Sequence, residues 1–131
     1  MTRFLQGIGA HANSPPGRGD LQPLAKKYHA LSGYVKPICV TEFGYSLPVQ
    51  GRLPCGFGWA KTHTPQGQAN HLIDGLKWAR ASGMTKLMIV WNLDMYSALD
   101  AKDCNAPYAL SRQDWQSPAL PELKSYLSQL D

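Results

Sequence analysis

The sequence predicts an α/β protein in which three parallel strands alternate with three helices. Short apolar runs alternate with longer segments whose apolar residues recur at the spacing of one helical face. The last of the short runs is apolar almost without interruption, which is typical of a strand covered on both faces of a parallel sheet. Because strand and helix signals alternate throughout, we interpret residues 1–131 as one domain built from βα units.

The first two strands and the helix between them carry distinct signals. Phe4–Ala10 is short and apolar and predicts the first strand. Leu21–Leu31 has apolar residues at helical spacing and predicts the first helix. Pro37–Phe43 is apolar and β-branched and predicts the second strand. A long loop rich in Gly and Pro, Gly44–His63, follows that strand, and loops of this length in compact domains are usually functional.

The second half of the chain repeats the pattern. Thr64 and Pro65 have the residue types of a helix N-cap and a first helical position. Lys86–Leu93 predicts the third strand, and another long loop follows it. Ser117–Pro118 opens a last amphipathic helix.

Two architectures use this alternation: an open doubly wound sheet and a closed (β/α)₈ barrel. Both long loops follow the carboxyl ends of strands, where barrels carry their active sites. No G-x-G-x-x-G motif follows the first strand, which weakens a dinucleotide-binding interpretation. Because a whole barrel takes about 250 residues, we expect a partial TIM barrel of about three βα units.

Charge and composition exclude several classes of function. The net charge is +4, but the basic residues are scattered and form no stripe with aromatic residues, so we expect no nucleic-acid partner. No apolar run approaches the roughly 20 residues that span a bilayer, so we expect no membrane partner. The histidines and cysteines lack metal-ligand spacing, and we predict neither a metal nor another cofactor.

The three cysteines leave the redox state open. Cys39 lies in an apolar strand and has the setting of a core residue, whereas Cys55 and Cys104 lie in loops rich in Gly and Pro. A Cys55–Cys104 disulfide and two free thiols are equally compatible with the sequence. The disulfide would suit an extracytoplasmic enzyme.

Three candidate site residues end the three predicted strands. Glu42 is a carboxylate at the end of a buried strand, the position from which barrel side chains face the reaction centre. Trp91 ends the third strand, and its indole can stack on the apolar face of a sugar ring. His11 follows the first strand. Each residue also has a purely structural interpretation, as a loop carboxylate, a core tryptophan or a hydrogen-bonded histidine.

Further polar and aromatic residues follow the same strands. Asn92 and Asp94 can hydrogen-bond hydroxyl groups or form the loop. The long loop after Glu42 carries further aromatic and histidine residues that can line a carbohydrate cleft or pack the loop, namely Tyr45, Phe57, Trp59 and His63.

Four segments resemble strands six to eight of clan A glycoside hydrolases and the hairpin-like stretch before their final helix, with the cellulase-like and xylosidase-like bacterial members the most similar. The matching segments are Gly9–His11, Lys36–Tyr45 with its Thr-Glu-Phe-Gly motif, Ile89–Leu93 with its Trp-Asn motif, and Tyr108–Leu120. The resemblance implies retaining hydrolysis of β-linked oligo- or polysaccharides.

By this resemblance Glu42 is the nucleophile, Trp91 is the floor of the subsite for the cleaved sugar, and His11 lies beside it. The Trp91–Asn92 peptide would be cis. In the clan, the acid/base glutamate ends strand four and usually follows Asn, but no Asn-Glu pair occurs here. Since retaining hydrolysis needs two carboxylates, the chain is expected to be an incomplete fragment that is inactive alone.

Two alternatives and one structural expectation accompany this interpretation. The chain could be a non-catalytic carbohydrate-binding half-barrel that uses Trp91 and Trp59, or an unrelated barrel enzyme with Glu42 as general base. Strand alternation would place four apolar residues on the inner face beside Glu42: Ile38, Val40, Leu87 and Ile89. Such a face would require the N-terminal half of the barrel or self-association.

Overall fold

The structure is a computed structural model that describes residues 3–5, 21–49, 51–94, 103–111 and 117–130. It is an α/β fold. Its strands and helices are β1 (Arg3–Leu5), α1 (Leu21–Leu31), β2 (Ile38–Phe43), α2 (Pro65–Ala81), β3 (Thr85–Val90) and α3 (Ala119–Leu127). Most of the strand predicted at Phe4–Ala10 lies outside the described residues. The second strand ends at Phe43, as predicted, whereas the third ends at Val90, three residues before its predicted end. The loop after β2 contains two short 3₁₀ turns, Pro54–Gly56 and Gly58–Ala60.

The strands form one parallel sheet in the order β1-β2-β3, which is also their order along the chain. Parallel strands need a crossover between them, and α1 and α2 lie in the two crossovers. All described strands therefore have their carboxyl ends at the same edge of the sheet, which is the edge where the loops after β2 and β3 begin.

The helices begin and end where the sequence signals predict. The Thr64 hydroxyl accepts a hydrogen bond from the Gly67 backbone N at 3.0 Å and caps α2. Gly33 and Gly83 follow α1 and α2 with φ of 66° and 65°, the left-handed conformation that glycine adopts without a steric penalty. No helix in the described part of the chain combines the length and apolarity that crossing a bilayer requires.

The core lies between the helices and one face of the sheet, which we call the helix face. Ile38, Val40 and Phe43 of β2 are 2%, 0% and 1% exposed there. Residues of all three helices pack against them, namely Leu21 of α1, Ala69, Leu72 and Ile73 of α2, and Ala119 and Leu123 of α3. A Cβ at Gly75 of α2 would clash with the Phe43 ring, so glycine allows this helix to approach the sheet closely.

The pairing of β2 with β3 is irregular at two points. The register shifts between Ile38 and Cys39, at Lys86 of β3, and it shifts again between Val40 and Phe43, at a β-bulge in β2. Val40 pairs with Met88 and Phe43 with Val90, so that Thr41 and Glu42 together lie opposite Ile89. Two residues against one is the pattern of a bulge, which re-aims the side chains around it. Phe43 consequently joins Ile38 and Val40 on the helix face, while Glu42 is exposed.

The bulge overturns part of the expectation for the inner face. Ile38 and Val40 were expected beside Glu42, and this is wrong, because strand alternation does not continue through the bulge. Leu87 and Ile89, in contrast, are each 44% exposed. Met88 and Val90 pack against the core, and Leu87 and Ile89 alternate with them along β3. Strand alternation therefore places Leu87 and Ile89 on the opposite face, which we call the open face.

A buried polar network connects the loop after β2 with the start of α3. The Gln68 side chain, in α2, donates from Nε2 to the Tyr45 carbonyl at 2.9 Å. Its Oε1 accepts from the Ser117 hydroxyl at 2.7 Å. That hydroxyl accepts from the Ala119 backbone N at 3.1 Å. Gln68 is fully buried, and its amide is satisfied at both ends.

Candidate functional site

A cavity of about 160 Å³ opens at the carboxyl ends of β2 and β3. Its wall consists of residues that directly follow or end the two strands and of residues from their two loops. They are Glu42, Gly44, Phe57, Trp91, Cys104, Asn105 and Tyr108. A protein cavity of about 150 Å³ can hold benzene, so the space is on the scale of one small ring.

Glu42 and Trp91, the two leading sequence candidates, both line this cavity. Trp91 directly follows β3, and its backbone N donates to the Phe43 carbonyl at 2.7 Å, which holds the two strand ends together. The bulge in β2 leaves Glu42 exposed at the same edge. His11, the third strand-end candidate, lies outside the described residues.

Gly44 allows the two strand ends to come this close, and sequence reasoning did not single it out. A Cβ at this position would clash with the carbonyl of Trp91 and the ring of Tyr108. The sequence signal that could have identified Gly44 was its place at the end of the Thr-Glu-Phe-Gly motif, two residues after Glu42.

Asn92 is buried and has a structural contact. Its Nδ2 donates to the Asn105 carbonyl at 3.0 Å, and its own carbonyl accepts from Leu110 N at 3.1 Å. The Trp91–Asn92 peptide bond is cis, as the resemblance implied. Asn92 thus joins the end of β3 to the loop that supplies the far wall of the cavity, and Asp94, two residues on, is exposed. Neither is among the residues that line the cavity.

Two more aromatic candidates belong to an aromatic–histidine cluster of Tyr45, Trp59, His63 and His71. The Tyr45 ring stacks on His63 with centroids 4.2 Å apart and lies 4.7 Å from the His71 ring. Trp59 meets His63 edge-on at 5.5 Å. These contacts direct Tyr45 toward α2, and neither Tyr45 nor Trp59 lines the cavity of Glu42.

Burial shapes the electrostatics of this cluster. It lowers the pKa of His71, the charge on His63 lowers it further, and Asp74 opposes both effects. Burial also raises the pKa of Tyr45 and, in the cavity wall, of Tyr108. His71 therefore favours its neutral form, and the two phenols stay protonated through the physiological range.

A disulfide joins the two loops of the cavity. Cys55, in the loop after β2, is bonded to Cys104, in the loop after β3, with their Cα atoms 5.5 Å apart. Sequence spacing left this pairing open. Phe57 and Tyr108, one from each loop, meet edge-on beside the crosslink with ring centroids 5.8 Å apart. Both line the cavity. The sequence left open whether Phe57 lines a cleft or packs its loop, and Tyr108 was not a candidate.

Neither protein-family models, nor curated proteins, nor solved structures match this chain. Within the ranges that the structure describes, no group of three or more His, Cys, Asp or Glu residues is placed to hold a metal ion.

Proposed function

We propose that this chain is the C-terminal part of a (β/α)₈-barrel glycoside hydrolase that cleaves β-linked O-glycosidic bonds with retention. Glu42 is its nucleophile, and Trp91 lines the subsite of the cleaved sugar. One observation carries the proposal: the carboxylate and the indole, at the ends of neighbouring parallel strands, line the same ring-sized cavity.

The layout of helices and strands supports a barrel over a doubly wound sheet. A doubly wound sheet reverses its strand order at a switch point and carries helices on both faces. Here the strands follow one another in sequence order, and residues of all three helices pack on the helix face. In a closed barrel the opposite face is filled by side chains from the other strands. The exposed Leu87 and Ile89 of the open face suit that role.

The composition of the cavity supports a carbohydrate ligand. Trp91, Phe57 and Tyr108 offer aromatic surface, and Asn105 and Glu42 add polar groups. An aromatic face packs on the C–H face of a pyranose, while polar groups bind its hydroxyls, so this mixture suits a neutral ring with a polar rim.

In the proposed mechanism Glu42 carries out the nucleophilic step. Its carboxylate attacks the anomeric carbon and forms a glycosyl ester, as the leaving oxygen takes a proton from a second carboxyl group. Water then attacks the ester, and the second carboxylate accepts its proton. In retaining enzymes the two carboxyl groups lie about 5–5.5 Å apart, so the acid/base must come from a part of the barrel facing Glu42.

Covalent trapping tests the assignment. A 2-deoxy-2-fluoro-glycosyl fluoride of the β-gluco or β-xylo series should label the full-length gene product at Glu42, detected as one added glycosyl mass on that peptide. Glu42→Gln should abolish labelling and lower kcat for the matching aryl β-glycoside by several orders of magnitude. Glu122→Gln, in α3, is the matched control. Labelling at another carboxylate would refute the role of Glu42.

A second candidate function, carbohydrate binding without cleavage, is supported by the composition of the cavity wall. Among the described residues, Glu42 is the one carboxylate that lines the cavity. A cavity with one carboxylate and aromatic walls is suited to binding a sugar without cleaving it. Saturable binding of cellobiose or xylobiose by the full-length gene product, with no labelling and no turnover, would favour this carbohydrate-binding module over the hydrolase.

A further inference from the structure

Three hydrogen bonds hold the backbone of Asn105 in the cavity wall. Its backbone N donates to Asp103 Oδ1 at 2.8 Å, and its carbonyl accepts from Tyr108 N at 3.1 Å and from Asn92 Nδ2 at 3.0 Å. Asn92 directly follows Trp91, so the last of these bonds connects Asn105 to the strand end that carries the indole. The place of Asn105 beside Trp91 is therefore set by the fold before any ligand binds.

The side-chain amide of Asn105 has a fixed orientation. Its Nδ2 donates to Asp103 Oδ1 at 3.0 Å, the same oxygen that accepts from its backbone N. A carboxylate accepts hydrogen bonds, and of the two ends of an amide only the nitrogen donates them, so the nitrogen must face Asp103. The amide oxygen, Oδ1, is consequently the end that does not face this carboxylate.

The fold does not use the amide oxygen of Asn105 within the part of the chain that the structure describes. Asn105 is the N-cap residue of a 3₁₀ turn, Ala106–Tyr108, and an asparagine side chain at an N-cap usually accepts a hydrogen bond from the backbone that follows. Here the side chain makes no cap hydrogen bond. Its amide bonds to Asp103 through Nδ2, and Asn105 is only partly buried in the wall of the cavity. Oδ1 is therefore a positioned acceptor that remains available to a ligand.

The rest of the cavity wall indicates what this acceptor would bind. Phe57, Trp91 and Tyr108 give the wall a largely aromatic surface. A neutral acceptor among aromatic rings is satisfied by a hydroxyl or N–H donor of the ligand, and a ligand without that donor leaves the acceptor desolvated and unpaired. A site of this kind discriminates more strongly against the loss of a hydroxyl group than against a small change of apolar shape.

We propose that Asn105 is a specificity-determining residue of the Glu42 cavity, and that Asp103 is its positioning residue. The Asn105 amide oxygen accepts a hydrogen bond from one hydroxyl group of the cleaved sugar. Asp103 holds the backbone and the amide nitrogen of Asn105, so little side-chain freedom is lost when the sugar binds. This inference rests on the proposed carbohydrate function and deepens it, because it names the group that selects a hydroxylated ring.

Substrate analogues that each lack one hydroxyl group test the contact. The substrates are aryl β-glucosides and aryl β-xylosides with their monodeoxy analogues, and the protein is the full-length gene product. Asn105→Ala should lower kcat/KM for the parent glycoside about three- to tenfold, the effect of one neutral hydrogen bond. For one monodeoxy analogue, the variant and the wild type should agree within about twofold, because neither pair can form the bond. Asn70→Ala, at an exposed asparagine of α2, is the matched control and should change none of these values.

Two results would overturn the contact. One is an unchanged kcat/KM for the parent glycoside in Asn105→Ala. The other is a loss of the same size on every substrate, because a general disturbance of the site does not depend on which hydroxyl group is absent. If the protein binds these glycosides without cleaving them, the same comparison is made with their dissociation constants.

The positioning role is tested with two variants of Asp103. Asp103→Asn keeps an acceptor oxygen and should leave kcat/KM within about twofold on every substrate. Asp103→Ala removes the acceptor and should reproduce the pattern of Asn105→Ala, with a loss on the parent glycoside and little loss on the same analogue. Adding it to Asn105→Ala should lower kcat/KM little further, because both changes act through one interaction. Wild-type values in Asp103→Ala, or equal losses on all substrates, would overturn the positioning role.

The proposed function and this inference fail in different ways. A wild-type protein that neither binds nor cleaves β-glycosides refutes the carbohydrate function and the Asn105 contact with it. A wild-type protein that cleaves them normally, with losses in Asn105→Ala that do not depend on the hydroxyl group removed, refutes the contact alone.

Discussion

The helix face and the open face of the sheet carry residues of similar hydrophobicity in opposite surroundings. Ile38, Val40 and Phe43 on the helix face are at most 2% exposed, whereas Leu87 and Ile89 on the open face are each 44% exposed. Burial of apolar surface is the dominant favourable term in folding. The contrast teaches that apolar residues on the helix face stabilise this chain by burial, while those on the open face contribute less because they remain partly in contact with solvent.

The largest effect is expected from truncation of the helix face. Phe43→Ala removes a fully buried ring that touches α2 and should lower the free energy of unfolding by about 3–5 kcal/mol. Leu87→Ala on the open face should cost less than about 1 kcal/mol, because much of that side chain already meets solvent. Urea titration of both variants measures the difference. Equal losses would contradict the distinction between the faces.

The second-largest effect on stability is expected where Gly75 of α2 approaches the Phe43 ring. Alanine at position 75 gains about 1 kcal/mol in helix propensity, but its Cβ would clash with the Phe43 ring, and overpacking costs about 1–3 kcal/mol. We expect Gly75→Ala to destabilise the protein, and Phe43→Leu in the same chain to relieve part of the loss. Gly58→Ala, where an added Cβ meets no atom within 4 Å, is the control. A stabilised Gly75→Ala protein in urea titration would show that α2 can withdraw from the sheet.

The open face should govern association of the isolated chain. We expect this chain to self-associate or, if it is part of the proposed barrel, to require the N-terminal half, because Leu87 and Ile89 leave apolar surface exposed. The Leu87→Lys/Ile89→Lys variant should weaken self-association at least about tenfold while the far-UV circular dichroism stays the same. Sedimentation velocity reads the change. A stable, cooperative wild-type monomer would rule out the partial barrel.

The smallest expected effect is on the pH dependence of the free energy of unfolding, and it involves His71 of α2. Burial lowers the pKa of His71 in the folded chain, while the unfolded value is about 6.5. The folded state therefore binds fewer protons: the contribution of His71 is fully present above pH 6.5 and is lost as pH falls from there toward the folded pKa. Urea titrations between pH 7.5 and 5 should show a shallower loss for His71→Phe than for the wild type. Equal slopes would assign the acid sensitivity to other groups.

Local signals predicted the elements well, because helix ends depend on nearby residues. Thr64, Gly33 and Gly83 cap or end helices through contacts within a few positions. The bulge at Thr41 and Glu42 depends on how two distant strands pair, so alternation alone assigned Ile38 and Val40 to the wrong face.

The site residues, like the elements of the fold, were predictable from the sequence where local signals determine them. Strand ends located Glu42 and Trp91, whereas Phe57 and Tyr108 reach the cavity through loop conformations and a crosslink that the sequence left open. The same conformations place Tyr45 and Trp59 beside His63, and neither of them lines the cavity.

The disulfide also has a mechanical consequence. It joins positions 49 residues apart and encloses α2 and β3 in a covalent ring. A chain pulled from its two ends can release α1 and α3 but cannot stretch the ring. At about 3.5 Å per extended residue, the oxidised protein should therefore extend about 170 Å less than the reduced one before it becomes taut.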